Sequence, residues 1–248
     1  MKDTQMKHAR PEQPKKKHKI LKILFSIVLT FAMIAVIFVS VLVFQGYVMY
    51  KEAIGTATIQ EKVAELKENP NYVEYNDISP FMRNAIVAVE DHRFYDHGGV
   101  DLIATGKMII VNIVNREIVG GGSSITQQLA RNFYFTQEKK LVRKIAEAFV
   151  AFEIEEAYDK NEILEYYLNI IFFGNNCDGI KLASNYYFSK TPDELSPKES
   201  LFLAGLPQAP SVYSVNDEKA EQRSRQVFNA MVEYGYVDEG TTYDEIGN

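Results

Sequence analysis

One cysteine, Cys177, in 248 residues excludes an intrachain disulfide. That usage suits a cytosolic protein and equally a bacterial envelope enzyme that relies on its core, so it does not fix the compartment. Nucleotide-handling signatures are missing as well: no Gly-Lys-Ser/Thr at P-loop spacing, no Gly-x-Gly-x-x-Gly and no Asp-x-Asp. His92 and His97 have no further His or Cys partner at ligand spacing, which argues against zinc. No stripe of Lys/Arg interleaved with aromatics occurs, and alternating strand patterns with turn dipeptides are scarce. Internal repeats are absent.

What is present is unevenly distributed. Residues 1–22 carry eight Lys/Arg against Asp3 and Glu12, a net of +6; the whole chain carries −6, so the remainder carries −12. An acidic body argues against nucleic acid as the main partner. Residues 1–19, with Pro11, Pro14 and the cluster Lys15 to Lys19, read as a disordered basic tail. From Ile23 to Phe44 no charge occurs over 22 residues. Such a helix spans roughly 33 Å, enough for a hydrocarbon core of about 30 Å. A cleaved signal peptide is the competing reading, but its apolar region runs roughly 7–15 residues and ends at small residues. This one is longer and continues into Phe44-Gln45-Gly46-Tyr47, which favours a retained anchor. The preceding lysines place the N-terminus in the cytoplasm and the body on the outer face of the membrane.

The expected organisation is a cytoplasmic tail (1–22), a transmembrane helix (23–44), a juxtamembrane linker (45–77) and a single mainly α domain (78–248). Helical periodicity marks 81–91, 101–115, 124–133, 141–158, 160–172, 179–187, 197–206 and 219–234. Within the linker, Ile59, Val63 and Leu66 mark a short helix ending at Asn69-Pro70. Residues 108–114 are apolar nearly all round; a core helix is the favoured reading, a segment dipping towards lipid the other.

Three stretches carry chemistry. Glu90 to Gly99 packs three acids, two histidines, an arginine and two aromatics after a helical stripe of Phe81, Ala85, Ile86 and Val89. That composition suits a polar cleft floor better than a core. Gly120-Gly121-Gly122-Ser123-Ser124 leads into a helix, with Ser124 and Gln127 at capping-box spacing. A glycine-rich loop at a helix N-terminus offers N–H groups and a positive dipole end to an anion such as pyrophosphate; a flexible loop before a well-capped helix is the plainer reading. In Lys139 to Glu147, Arg143 and Lys144 share a helix face with Glu147 and hold it ionised. Taken alone that face is an ordinary solvated ion-pair surface. Asp159 to Glu162 forms another capping box, before an apolar face of Ile163, Leu164, Tyr167, Leu168 and Ile171.

Taken together, residues 75–232 resemble the peptidoglycan glycosyltransferases (glycosyltransferase family 51, the transglycosylase domain of class A penicillin-binding proteins) in their monofunctional, membrane-anchored form. The resemblance rests on five motifs in register. They are Glu90-Asp91-x-x-Phe94-x-x-His97-x-Gly99, Gly122-Ser123-Ser124-Ile125-Thr126-Gln127-Gln128, Arg143-Lys144-x-x-Glu147, Lys160-x-x-Ile163-Leu164-Glu165-x-Tyr167-Leu168-Asn169, and Ala183–Lys190 continuing through Leu203–Ser211. The family usually has Thr where Ser124 stands and Gly where Ser189 stands. Ser124 keeps the hydroxyl, whereas Ser189 removes a glycine from a turn.

The resemblance implies a lysozyme-like fold and polymerisation of lipid II into β-1,4-linked glycan for cell-wall biosynthesis, with release of undecaprenyl diphosphate. It implies Glu90 as general base and Glu147 as the second catalytic glutamate. Asp91, Phe94, His97, Ser123, Ser124, Gln127, Gln128, Arg131, Lys139, Arg143 and Lys144 are then the substrate-binding set. Glu147 is a candidate ligand for Mg²⁺ or Mn²⁺ on the pyrophosphate, or else orients Arg143; both readings stay open. Expected partners are lipid II, the lipid-linked growing strand, the plasma membrane and other cell-wall synthesis proteins. No transpeptidase domain follows position 248, so no acyl-enzyme target for β-lactams is expected. The missing nucleotide-sugar motifs fit a lipid-linked donor. Two rivals remain: an anchored muramidase or lytic transglycosylase, and a catalytically silent scaffold.

Overall fold

The computed structural model describes residues 15–115, 122–135 and 141–247. In chain order its α-helices are α1 (Lys15–Thr56), α2 (Ile59–Lys67), α3 (Pro80–Glu90), α4 (Leu102–Asn115), α5 (Ile125–Tyr134), α6 (Leu141–Ala157), α7 (Lys160–Ile170), α8 (Ile180–Phe188), α9 (Pro197–Gly205), α10 (Pro210–Tyr213) and α11 (Asp217–Glu233). Among the described residues no strand forms; a single antiparallel bridge joins Phe172 and Asp178. The mainly α expectation holds, and the expected helices recur within a residue or two of their bounds.

Two units divide between Gln45 and Gly46. In the first, α1 is long and apolar enough from Leu21 onward to cross a membrane. Its large side chains, Phe25, Phe31, Phe38 and Phe44 among them, are exposed. The helix begins at Lys15, inside the stretch expected to be disordered. Lysine is a good helix former, and extending an existing helix avoids the cost of nucleation.

The second unit begins at Gly46, so the stretch read as a linker contributes to its core. Tyr50, Ile59, Val63, Leu66 and Val73 are buried. The reason is local: α2 has a single apolar stripe, Ile59, Val63 and Leu66, and buries it against α7. Two helix groups make up the body. In one, α3, α9 and α11 pack on one another; in the other, α5 packs on α6 and α7. Met82, Ile86, Leu201, Leu203, Val227 and Met231 fill the first, and Ile125, Leu129, Val150, Ile154, Ile163 and Leu168 the second. Side-chain caps fix the helix starts: Ser79 before Pro80, and reciprocal boxes at Ser124/Gln127, Asp159/Glu162 and Ser196/Glu199. Buried Cys177 sits in the tight loop after α7, where the Phe173 amide donates to its carbonyl at 2.9 Å.

One expectation is overturned. The apolar segment 108–114 is not a core helix: on α4, Leu102, Ile103, Ile110, Val111 and Val114 are exposed. A helix apolar on every side still buries only the side that meets a partner, and α4 has no extensive helix partner among the described residues.

Ser189, standing where a glycine was anticipated, ends α8 in the left-handed region at φ 55°, ψ 38°. A side chain there is strained by roughly 1–2 kcal/mol, part of which glycine returns through its greater freedom when unfolded. Ser189→Gly is therefore expected to stabilise the domain by up to about 1 kcal/mol, read as a higher midpoint in urea unfolding.

Candidate active site

Glu90 is the last residue of α3, and Asp91 caps that helix. The Asp91 carboxylate is buried and engaged at both oxygens. Oδ2 accepts from the Ile125 amide at 3.0 Å, and Oδ1 lies 2.8 Å from His97 Nε2. Because Ile125 opens α5, this carboxylate joins the end of one helix to the start of another. Ser124, the cap of α5, donates its hydroxyl to Gly99 O at 2.5 Å. A side chain on Gly99 would stand 2.7 Å from the Ala151 carbonyl carbon, so only glycine lets this loop lie against α6. Gly98 meets nothing within 4 Å and carries no such demand.

This junction aligns Gln128, one turn into α5, with Glu90: Gln128 Nε2 donates to Glu90 Oε2 at 2.9 Å. Gln128 is itself oriented by the buried Tyr167 hydroxyl, which donates to its Oε1 at 3.2 Å. Burial pushes the Glu90 carboxyl above the usual carboxylate range, and neighbouring Asp91 adds to that. The Gln128 hydrogen bond and the charges of Arg223 and Arg131 oppose it. Burial and the nearby Glu90 charge raise the Tyr167 phenol well above its ordinary value, so it remains a donor.

The cleft beside Glu90 holds about 250 Å³ and is lined by Asp91, His92, Lys107, Met108, Ser123 and Ser124 among others. Lys144 Nζ donates to Ser123 Oγ on that wall and lies 2.8 Å from Glu147 Oε2. Arg143 Nε lies 2.9 Å from Glu147 Oε1. Glu147 is fully buried, with each oxygen facing one cation. Two larger hollows, of about 390 Å³ between α1, α2 and α6 and about 320 Å³ between α2, α5 and α7, lack this gathering of acid, hydroxyls and cations.

The anticipated site residues therefore separate by position. Glu90, Asp91, Ser123 and Ser124 line the cleft, and Gln128, Arg131 and Lys144 adjoin it. Arg131 Nε is buried with no hydrogen-bond partner among the described residues, while its charge acts on Glu90. Phe94 is fully buried, with Lys160 Nζ 4.3 Å from its ring centroid, so it supports the loop from beneath and does not face substrate. Gln127 is buried in the α5 capping box, and His97 is held against Asp91; both shape the backbone. Lys139, Gly120 and Gly121 lie outside the described residues.

Sequence reading missed three groups. Tyr167 passes for one more apolar residue of α7. Arg223, buried on α11, donates from Nε to Gly205 O at 3.4 Å and adds positive charge near Glu90. It lies 133 positions from Glu90 and has no local signature. Lys107 lines the cleft, and as the one cation inside the apolar run of α4 it was visible in the sequence.

Asp91, His97 and Asp101 bring one ligand atom each to within 4.8 Å of one another, as a metal site would. Their atoms are already engaged. Asp101 Oδ1 accepts from the Ile103 and Ala104 amides at 2.8 and 3.0 Å, and Oδ2 lies 3.3 Å from Arg93 Nε. Burial works against ionising Asp101, but these amides and Arg93 outweigh it and hold its carboxyl below the usual range. The trio reads as a clasp on the loop. Asp91→Ala would leave the buried Ile125 amide without an acceptor and is expected to cost about 2 kcal/mol, measured as a lower urea midpoint.

Comparison with known proteins agrees with this geometry. Residues 57–232 match the Transglycosylase family model. The chain is 40% identical over 180 residues to penicillin-binding protein 1F of Bacillus subtilis (strain 168), covering 71% of this chain and 25% of that protein. It is 41% identical over 169 residues to penicillin-binding protein 1A of Neisseria cinerea, covering 67% and 21%. The chain thus spans about a quarter of the length of the curated relatives it matches. It belongs to the transglycosylase family, and its helical body is that family's lysozyme-like domain.

Proposed function

We propose that this domain is an inverting peptidoglycan glycosyltransferase that polymerises lipid II into β-1,4-linked strands and releases undecaprenyl diphosphate. The observation that carries the reading is the pairing of a half-buried carboxylate, held above its ordinary pKa, with cations and hydroxyls around one cleft. Glu90 takes the proton from the acceptor's 4-hydroxyl as that oxygen attacks the anomeric carbon of the lipid-linked donor. A carboxyl lifted above its ordinary value is a stronger base than a solvated glutamate. The leaving diphosphate needs charge stabilisation in place of a strong acid. Ser123, Lys144, Arg143 and Arg131 supply it, and the Nε of Arg131, without a hydrogen-bond partner among the described residues, has a donor to give.

Glu147 acts here as an orienting group. With Arg143 and Lys144 facing its two oxygens and no exposure, it fits a counter-charge that aims these cations better than a ligand for Mg²⁺ or Mn²⁺. The apolar helix α1 anchors the protein in the plasma membrane with its N-terminus cytoplasmic and the catalytic unit outside. The exposed apolar side of α4, whose Met108 and Val111 line the cleft, meets lipid close to where the polyprenyl donor arrives.

The experiment is extension of labelled lipid II by the purified full chain, with and without divalent metal, alongside incubation with mature cell walls. Polymer from lipid II supports the proposal; muropeptide release without polymer sinks it. Glu90→Gln should lower polymerisation by about 10²-fold or more, the usual scale for losing a general base.

The same substitution has a thermodynamic signature. The folded-state pKa of Glu90 lies above its unfolded value, so the folded protein holds this proton to higher pH. Its contribution to stability is therefore lost as pH rises through the folded pKa. Glu90→Gln should make Tm fall less than that of wild type as pH rises, while polymerisation drops. Gln128→Leu, which removes a bond favouring the ionised form, should move the acid limb of the kcat/KM profile to higher pH.

A further inference from the structure

His92 lies two residues beyond Glu90 and lines the same cleft. Its ring stacks on Tyr234 at the end of α11, with centroids 4.0 Å apart and planes 12° apart. Among the described residues no hydrogen bond or ion pair reaches either imidazole nitrogen. A stack of this geometry covers one face of the imidazole and fixes its tilt, while both nitrogens lie in the ring plane and stay free at its edge. The arrangement is a rigid polar edge at the mouth of the cleft, braced by Tyr234 and satisfied by no hydrogen bond among the described residues.

We propose that His92, held by Tyr234, contacts the acceptor sugar and sets its position against Glu90. The inference rests on the glycosyl-transfer reading. The groups suited to a diphosphate lie on α5, α6 and the segment before α5, with Lys107 on α4, whereas His92 continues directly from the helix that carries the base. A neutral imidazole both donates and accepts, which matches a sugar hydroxyl or acetamido group that does the same. The side chain makes its contact in the bound complex and in the transition state alike, so its loss appears in KM.

The test uses the full-length chain with lipid II in detergent micelles. Wild-type polymerisation is measured first, because its failure would remove the glycosyl-transfer reading and not this residue's role within it. His92→Phe keeps a flat ring on Tyr234 but deletes both nitrogens; KM for lipid II should rise about tenfold, with kcat within about twofold of wild type. Tyr234→Leu frees the imidazole and should share the rise in KM. An unchanged KM in His92→Phe, or a fall confined to kcat, overturns the proposal. Should His92→Phe melt at a much lower temperature than wild type, His92→Gln decides: it keeps a donor and an acceptor, and a KM closer to wild type than that of His92→Leu supports the contact, whereas equal values refute it.

Discussion

The Asp91 carboxylate, bonded at once to the first amide of α5 and to His97, is the constraint from which the site follows. An acid at a helix N-terminus meets unpaired N–H groups and the positive end of the dipole. Here the acid comes from the end of a different helix, so the contact also sets how α3 and α5 meet. Glu90 and Gln128 then have to face each other, since one precedes the clasp by a residue and the other follows it by a turn. The loop between is secured by His97, by Asp101 with Arg93, and by Ser124 on the Gly99 carbonyl. Four of the residues quoted in the first two motifs, Asp91, His97, Ser124 and Gln127, therefore hold backbone in place, and of these Asp91 and Ser124 also line the cleft.

The two glutamates show how environment divides similar groups. Glu90 is desolvated, with an amide bonded to one oxygen and two arginines acting on it through space, so its charge is only partly compensated. Glu147 is more deeply enclosed but has a cation at each oxygen, so its charge is balanced in place. A carboxylate in the first setting retains affinity for a proton, and one in the second serves to aim its partners. The cations around Glu147 are also pre-positioned, which spares reorganisation when an anion arrives.

Much of this was readable beforehand because it is written locally. The boxes at Ser124/Gln127 and Asp159/Glu162 announce their helices, and the apolar periodicities of α3, α5 and α7 correspond to faces that are buried. What escaped depends on distant contacts. Arg223 is one charge among several on α11 until α9 and α3 close over it, and Tyr167 looks apolar until Gln128 turns towards its hydroxyl. The segment 45–77 reads as a tether because its short stripe has no visible partner, yet α7 supplies one. In α4 the difference runs the other way: its composition is apolar, yet composition alone says nothing about which surface meets it, and Ile110, Val111 and Val114 are exposed.

Cys177 gives the molecule a built-in chemical silence. The thiol is enclosed in the loop after α7, and burial together with Asp178 pushes it above its normal acidity range, so little reactive thiolate exists near neutrality. As the sole cysteine of the chain, it leaves the folded surface free of competing sulfhydryls. Maleimide or spin-label probes can therefore be attached at a cysteine introduced anywhere on that surface without first mutating the native residue. Uptake of label by the wild-type chain would itself report opening of the loop.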